Sequence, residues 1–208
     1  MYLKRNSVTT KIPIPRRGSK YLARTASNIN DSVSVVTAVR DILKLAKTAK
    51  EVKEMIKSKL LKINGRDVKD YRESIKLFNI FEADKVYSLT ILPTKRFTFE
   101  EVKEKNKRLC KVTGKRLIKK GTQQLSLHDG SNIISKDKIK VNDSIILDFS
   151  GKIISHIPFE NAKEAFVFKG KYMGQVGKIK SVKDGKIELN LPEKENSVEL
   201  NLNQVIVR

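Results

Sequence analysis

Cysteine occurs once in this chain of 208 residues, at Cys110, and tryptophan does not occur. A single thiol excludes an intramolecular disulfide framework and any multi-cysteine zinc site, and it suits a reducing compartment. The two histidines, His128 and His156, leave little for metal ligation or acid–base work. Aromatic residues are 6% of the chain, which argues against a stacking surface for single-stranded nucleic acid. No apolar run approaches the roughly 18 residues of a membrane-spanning helix. The opening Met1-Tyr2-Leu3-Lys4-Arg5 lacks the apolar stretch of a signal peptide. A soluble, cytoplasmic protein is expected.

Positive charge is abundant instead. Lys and Arg number 44 against 23 Asp and Glu, a formal net charge of +21, while hydrophobic residues still make up 39%. That apolar share can form folded modules, and the charge calls for a polyanionic partner, most commonly nucleic acid.

Along the chain, residues 1–33 read as a basic N-terminal arm. It carries Lys4, Arg5, Arg16, Arg17, Lys20 and Arg24, with no acidic residue before Asp31. Pro13 and Pro15 impose extended backbone, and self-repulsion predicts disorder until the arm meets phosphate. From Val33 the apolar residues Val35, Val36, Val39, Ile42, Leu43 and Ala46 follow a helical period, with Arg40, Lys44 and Lys47 sharing a face. Thr48-Ala49-Lys50-Glu51 fits a capping box and starts a second helix whose Lys50, Lys53 and Lys57 form another basic face. Asn64-Gly65, followed by Arg66, signals a type I′ hairpin, and Val86 to Leu92 a strand stopped by Pro93. Two helices plus a hairpin therefore occupy residues 34–92.

Residues 93–160 read as short strands at the spacing of a small β-barrel-like domain, with a helical turn expected over Glu100 to Lys105. Residues 161–208 hold five strands, the size of an SH3-like barrel. The fold class expected is α+β and multi-domain.

Catalytic signals are poor. Adjacent residues on a strand point to opposite sides, so His128-Asp129 reads as a turn with a structural histidine. Cys110 reads as a buried structural thiol, and His156 has no evident partner. Gly170, Gly174 and Gly177 lack the Lys-Ser/Thr ending of a phosphate loop. Basic residues, in contrast, recur in every section: Lys95 and Arg96, Lys107 and Arg108, Lys111, Lys115 and Arg116, Lys119 and Lys120, then Lys169, Lys171 and Lys178. This spread favours many phosphate contacts over one reading head, and structured RNA recognised by shape and backbone.

The order of segments resembles a known family. Tyr2-Leu3-Lys4-Arg5, Leu43 to Val52, Lys62 to Val68, Gln124 to Ile133, Lys140 to Ser144, His156 to Glu160 and the glycine-centred Gly170 to Ile179 are similar, in order, to small-subunit ribosomal protein four of archaea and eukaryotes, the e-type family. The resemblance implies a helix-plus-hairpin RNA-binding domain, a central β domain and a C-terminal KOW barrel. In that barrel the loop from Gly170 to Lys178, with Tyr172, would contact RNA. It implies small-subunit ribosomal RNA and neighbouring small-subunit ribosomal proteins as partners, in the cytoplasm. It implies no catalytic activity, cofactor, metal, membrane or small-molecule substrate.

Two other classes bear on the same features. An RNA-modifying enzyme could carry the helix-plus-hairpin module, but the rest of the chain is too short and strand-rich for a catalytic domain. A KOW-type transcription-associated RNA-binding protein would carry less evenly spread charge.

Overall fold

Antiparallel pairing joins every strand among the described residues of the computed structural model. It describes residues 2–103, 106–118, 121–160, 163–183, 185–191 and 197–208. The chain forms two compact units, Met1–Asn106 and Lys107–Arg208. The fold is mostly β, with few helices, so helix contributes less than the α+β expectation.

In the first unit, β1 (Tyr2–Lys4) pairs with β2 (Tyr21–Ala23), so the described arm is a structured hairpin rather than a free tail. Apolar side chains between the charges explain this. Leu22 and Ile12 are buried, and the Phe97 amide donates to the Lys11 carbonyl at 2.7 Å. Arg5 braces the arm from within, donating from Nε to the Ser19 carbonyl at 2.7 Å and from Nη1 to the Pro15 carbonyl at 2.5 Å.

The first predicted helix is shortened to residues 35–42, most of them π-helix. Ser32–Ser34 is a strand, β3, and Thr37–Ile42 is a single stretch of π-helix. Val33, Val35, Val36, Ala38 and Val39 are all buried, and so are Ser34 and Thr37 between them, so the run is buried all round and its helical period does not discriminate. β-branched Val33 suits the strand, and its pairing with Ile75 decides it. Lys44 then turns the chain with φ 57°.

The helix α1 (Ala49–Lys57) forms where the capping box places it. Thr48 Oγ1 accepts from the Glu51 amide at 3.3 Å, and Glu51 Oε2 accepts from the Lys47 amide at 2.8 Å. The predicted hairpin follows as β4 (Lys62–Ile63) and β5 (Arg66–Asp67), with Asn64 and Gly65 at φ 51° and 76° as a type I′ turn requires. Next come β6 (Ser74–Lys76), β7 (Ile80–Glu82), β8 (Val86–Ile91) and β9 (Phe97–Glu101). A five-stranded sheet runs β5-β4-β7-β8-β9. The predicted turn from Glu100 begins inside β9, and Lys105 lies outside the described residues.

The second unit opens with β10 (Arg108–Leu117). Its first half pairs with β13 (Ser144–Leu147) and its second half with β11 (Gln123–Leu127), across a bulge between Val112 and Gly114. A bulge bends a strand and lets it serve two partners. With β12 (Asn132–Ser135) and β14 (Ile153–Ile157) the order is β12-β11-β10-β13-β14, around a core of Cys110, Val112, Leu125, Ile139, Ile145 and Leu147.

The remaining strands are β15 (Glu164–Val167), β16 (Val176–Lys183), β17 (Lys186–Asn190), β18 (Val198–Asn201) and β19 (Val205–Val207). They form one sheet, β18-β17-β16-β15-β19, over a core that includes Ala165, Val167, Ile179, Ile187, Leu189 and Val205. Gly177 is required there, because a Cβ would lie 2.6 Å from the Asn190 carbonyl oxygen. The Val207 amide donates to the buried Ser144 Oγ at 3.1 Å, tying β19 to β13.

Candidate nucleic-acid interface

On α1 the lysines point outward while Val52 is fully buried beneath them. Lys50, Lys53 and Lys57 are exposed. Their spacing of three and four residues keeps them on one side of the helix. Lys47 stands at the cap and Lys44 on the preceding turn, both exposed. Arg40 lies on the π-helix, where its Nε and Nη2 donate to Asp41 at 2.9 and 2.8 Å. The expected helical face of Arg40, Lys44 and Lys47 is therefore three separate pieces of backbone rather than one helix.

Elsewhere in the first unit, Lys4, Arg16, Arg17 and Lys20 are exposed, Arg24 is half-buried, and Lys95 and Arg96 are exposed on the turn between β8 and β9. Arg5 is half-buried with its donors engaged by the arm, and Arg66 is ion-paired with Glu73. Arg5 is a structural brace first, while Arg66 stays exposed beside its partner.

In the second unit Lys107, Lys115, Arg116, Lys169, Lys171 and Lys178 are exposed. Lys115 Nζ reaches the Ile139 carbonyl at 3.0 Å. Lys169 Nζ lies 5.5 Å from the Phe168 ring centroid, and Lys171 Nζ lies 5.9 Å from that of the half-buried Tyr172. Lys119 and Lys120 lie outside the described residues.

Two predicted contacts need correction. Lys111 is 1% exposed, and its ammonium donates to the carbonyls of Leu202 and Val205 at 2.5 and 2.6 Å. Burial, with nearby Lys169 adding to it, pushes its pKa down to about 8. It is a strut inside the unit and is unavailable to phosphate. Arg108 is similarly engaged, with Nη1 2.5 Å from Oδ2 of the buried Asp129.

The histidine readings divide. His128 Nδ1 accepts from the Lys111 amide at 3.1 Å, while the Asp129 carboxylate takes Arg108 and the Ser131 amide and hydroxyl. That is a turn architecture, as the sequence suggests. His156, which shows no partner in the sequence, has one: its Nε2 lies 2.7 Å from Oδ2 of buried Asp143, thirteen residues earlier. Burial pushes the Cys110 thiol up to about 12, so at neutral pH it is not a thiolate nucleophile. Among the described residues no cluster of three His, Cys, Asp or Glu side chains could hold a metal, and no helix is long and apolar enough to cross a membrane.

Sequence reasoning missed one grouping. Tyr2, Tyr21 and Tyr71 converge with Arg40 and Arg72 on a single cleft, because strand register and loop placement, not sequence proximity, bring them together.

A profile of the ribosomal S4e family matches residues 83–154. The chain is 30% identical over 189 residues to small ribosomal subunit protein eS4 of Archaeoglobus fulgidus, covering 88% of this chain and 80% of that one. It is 31% identical to the eS4 proteins of Methanothermobacter thermautotrophicus, over 87% and 78% of the two chains, and of Methanocaldococcus jannaschii, over 86% and 80%. The fold is similar to the crystal structure of the 30S ribosomal protein S4e from Thermoplasma acidophilum, with a TM-score of 0.73 at 21% identity over 85% of this chain and 94% of that one. With this identity sustained over most of both lengths, the chain belongs to the small ribosomal subunit protein eS4 family.

Proposed function

We propose that this protein is a structural component of the small ribosomal subunit and binds small-subunit ribosomal RNA through phosphate and shape contacts. The observation that carries this reading is the match along most of the chain to small-subunit proteins. The charge distribution supplies the means: exposed cations occur in both units, and the first has a row of three on one helix. Each phosphate neutralised releases condensed counterion, so many weak contacts add to one strong, salt-dependent attachment.

In this reading α1 with its hairpin is the principal RNA-binding module, and the arm extends it through Lys4, Arg16, Arg17 and Lys20. The strands from β15 to β19 act as a KOW barrel, presenting Lys169, Lys171, Tyr172 and Lys178. The protein works in the cytoplasm beside other small-subunit proteins and performs no catalysis.

Sucrose-gradient fractionation of a lysate at low and high salt tests the proposal. The expected result is one copy per small subunit, retained until several hundred millimolar salt. A protein at the top of the gradient at low salt, or far below one copy per subunit, would refute it.

A further inference from the structure

We propose that the first unit holds a single unpaired RNA base in the cleft between the arm hairpin and α1; this rests on the RNA-binding reading above. The cleft has a volume of about 190 Å³. An apolar cavity of about 150 Å³ accepts a benzene ring, so this one suits one planar ring system.

Three of the chain's five tyrosines meet there, although aromatics are scarce overall. Tyr2 and Tyr21 come from the same face of the β1–β2 hairpin, because the register sets Lys4 opposite Tyr21 and leaves Leu3 and Leu22 on the other face. Their ring centroids are 5.7 Å apart, and they stay 73% and 48% exposed. The two rings are tilted 48° to each other, so one offers its face to a base while the other borders it, and such stacking is tolerant of base identity. Tyr71 lines the same cleft, its backbone held by the amide of the buried Val36, which donates to the Tyr71 carbonyl at 3.0 Å.

The polar surroundings select for an anion attached to that ring. Lys53 Nζ lies 4.8 Å and Arg72 Cζ 5.1 Å from the Tyr71 centroid, and Lys20 Nζ lies 5.5 Å from that of Tyr21. Arg40 also lines the cleft, and Asp41 engages two of its donors, fewer than the five a guanidinium carries. An arginine plane stacks on bases as aromatic rings do. Aromatic faces ringed by cations fit a nucleotide better than an apolar protein side chain, which would gain nothing from the charge. Lys53 also belongs to the α1 lysine row, so a base in the cleft would continue the phosphate track along the helix.

The test uses the full chain and two short RNA stem-loops, identical except that one carries a single bulged 2-aminopurine. The expected result is roughly tenfold tighter binding of the bulged RNA, with a change in 2-aminopurine fluorescence on binding. Tyr71→Leu, and Tyr2→Leu with Tyr21→Leu, should remove that preference while leaving affinity for the paired stem-loop unchanged. The three Tyr→Phe variants should retain it. Equal affinity of the wild type for both RNAs would overturn the proposal while leaving general RNA binding intact. Tyr→Leu variants that lose both RNAs alike would overturn it too, by making the rings structural. Binding of neither RNA at low salt would overturn both readings.

Discussion

Lys111 and Val205 are joined by a hydrogen bond of 2.6 Å from a buried ammonium to a strand carbonyl, with Leu202 as the second acceptor at 2.5 Å. This links β10 to the entry of β19 across 94 residues of sequence. It turns a residue that reads as one more RNA-facing cation into part of the core. Burial lowers its pKa from 10.5 to about 8. Below pH 8 the lysine is protonated in both folded and unfolded chains. Between pH 8 and about 10.4 the unfolded chain binds the extra proton, so this residue makes stability rise with pH. The wild type should therefore gain up to about 3 kcal/mol over Lys111→Met across that window, measured by urea denaturation. Comparison with the variant cancels the other lysines and tyrosines that titrate there. A difference that stays constant from pH 7 to 10 would contradict this.

The pair of Arg108 and Asp129 makes a prediction of the same sign at low pH, where stability again rises with pH. Burial alone would push the Asp129 carboxyl up, but hydrogen bonds from Ser131 and the charge of Arg108 outweigh it and hold the pKa below its usual value. The stabilisation is complete above the ordinary carboxylate range and is lost as pH falls below about 4. Asp129→Asn leaves a buried guanidinium without its counter-charge and should cost about 3 kcal/mol at pH 7. Its deficit relative to wild type should shrink steadily on acidification. A thermal melt series from pH 7 to pH 3 measures both effects.

What the sequence made legible follows the range of the signals involved. The helix at Ala49, the Asn64-Gly65 hairpin and the strand ending before Pro93 are written in local chemistry: a capping box, a positive-φ turn and a proline stop. The buried run from Val33 to Val39 carries no clear local boundary, and β6, some forty residues on, draws Val33 into a strand while Val35, Val36 and Val39 stay helical. The arm misleads for the same reason. Its charges are contiguous, while the contacts that order it, such as Lys11 with Phe97, are remote. Among site residues, exposure on α1 could be read from period alone. The burial of Lys111, the partner of His156 and the tyrosine cleft depend on register and packing between distant segments, which a single sequence does not display.

The cap of α1 is a further point where local chemistry can be measured. Thr48 Oγ1 accepts the Glu51 amide, and Glu51 returns the bond to Lys47. Thr48→Ala should lower stability by about 1 kcal/mol, read as a reduced urea midpoint. The Lys47 amide, then the Thr48 hydroxyl, hold the Glu51 carboxyl below its usual pKa, so the cap should weaken as pH falls through that range. If Thr48→Ala matches the wild type in both midpoint and acid response, the capping box contributes nothing to the fold.

The lysine row on α1 separates function from stability most cleanly. Lys50, Lys53 and Lys57 are exposed and belong to a helix anchored by Val52. Reversing all three to Glu should leave the far-ultraviolet circular dichroism spectrum and the folded state intact, because none of them fills the core. RNA binding at low salt should be lost, since three phosphate contacts become three repulsions. Single Lys→Ala changes should each reduce the slope of log affinity against log salt by about 1 while weakening all RNA sequences alike. Lys53→Ala should do more than its neighbours, because it also removes the cation above Tyr71. A triple variant that binds RNA with undiminished affinity and an unchanged salt slope would move the interface off α1 and onto the arm and the second unit.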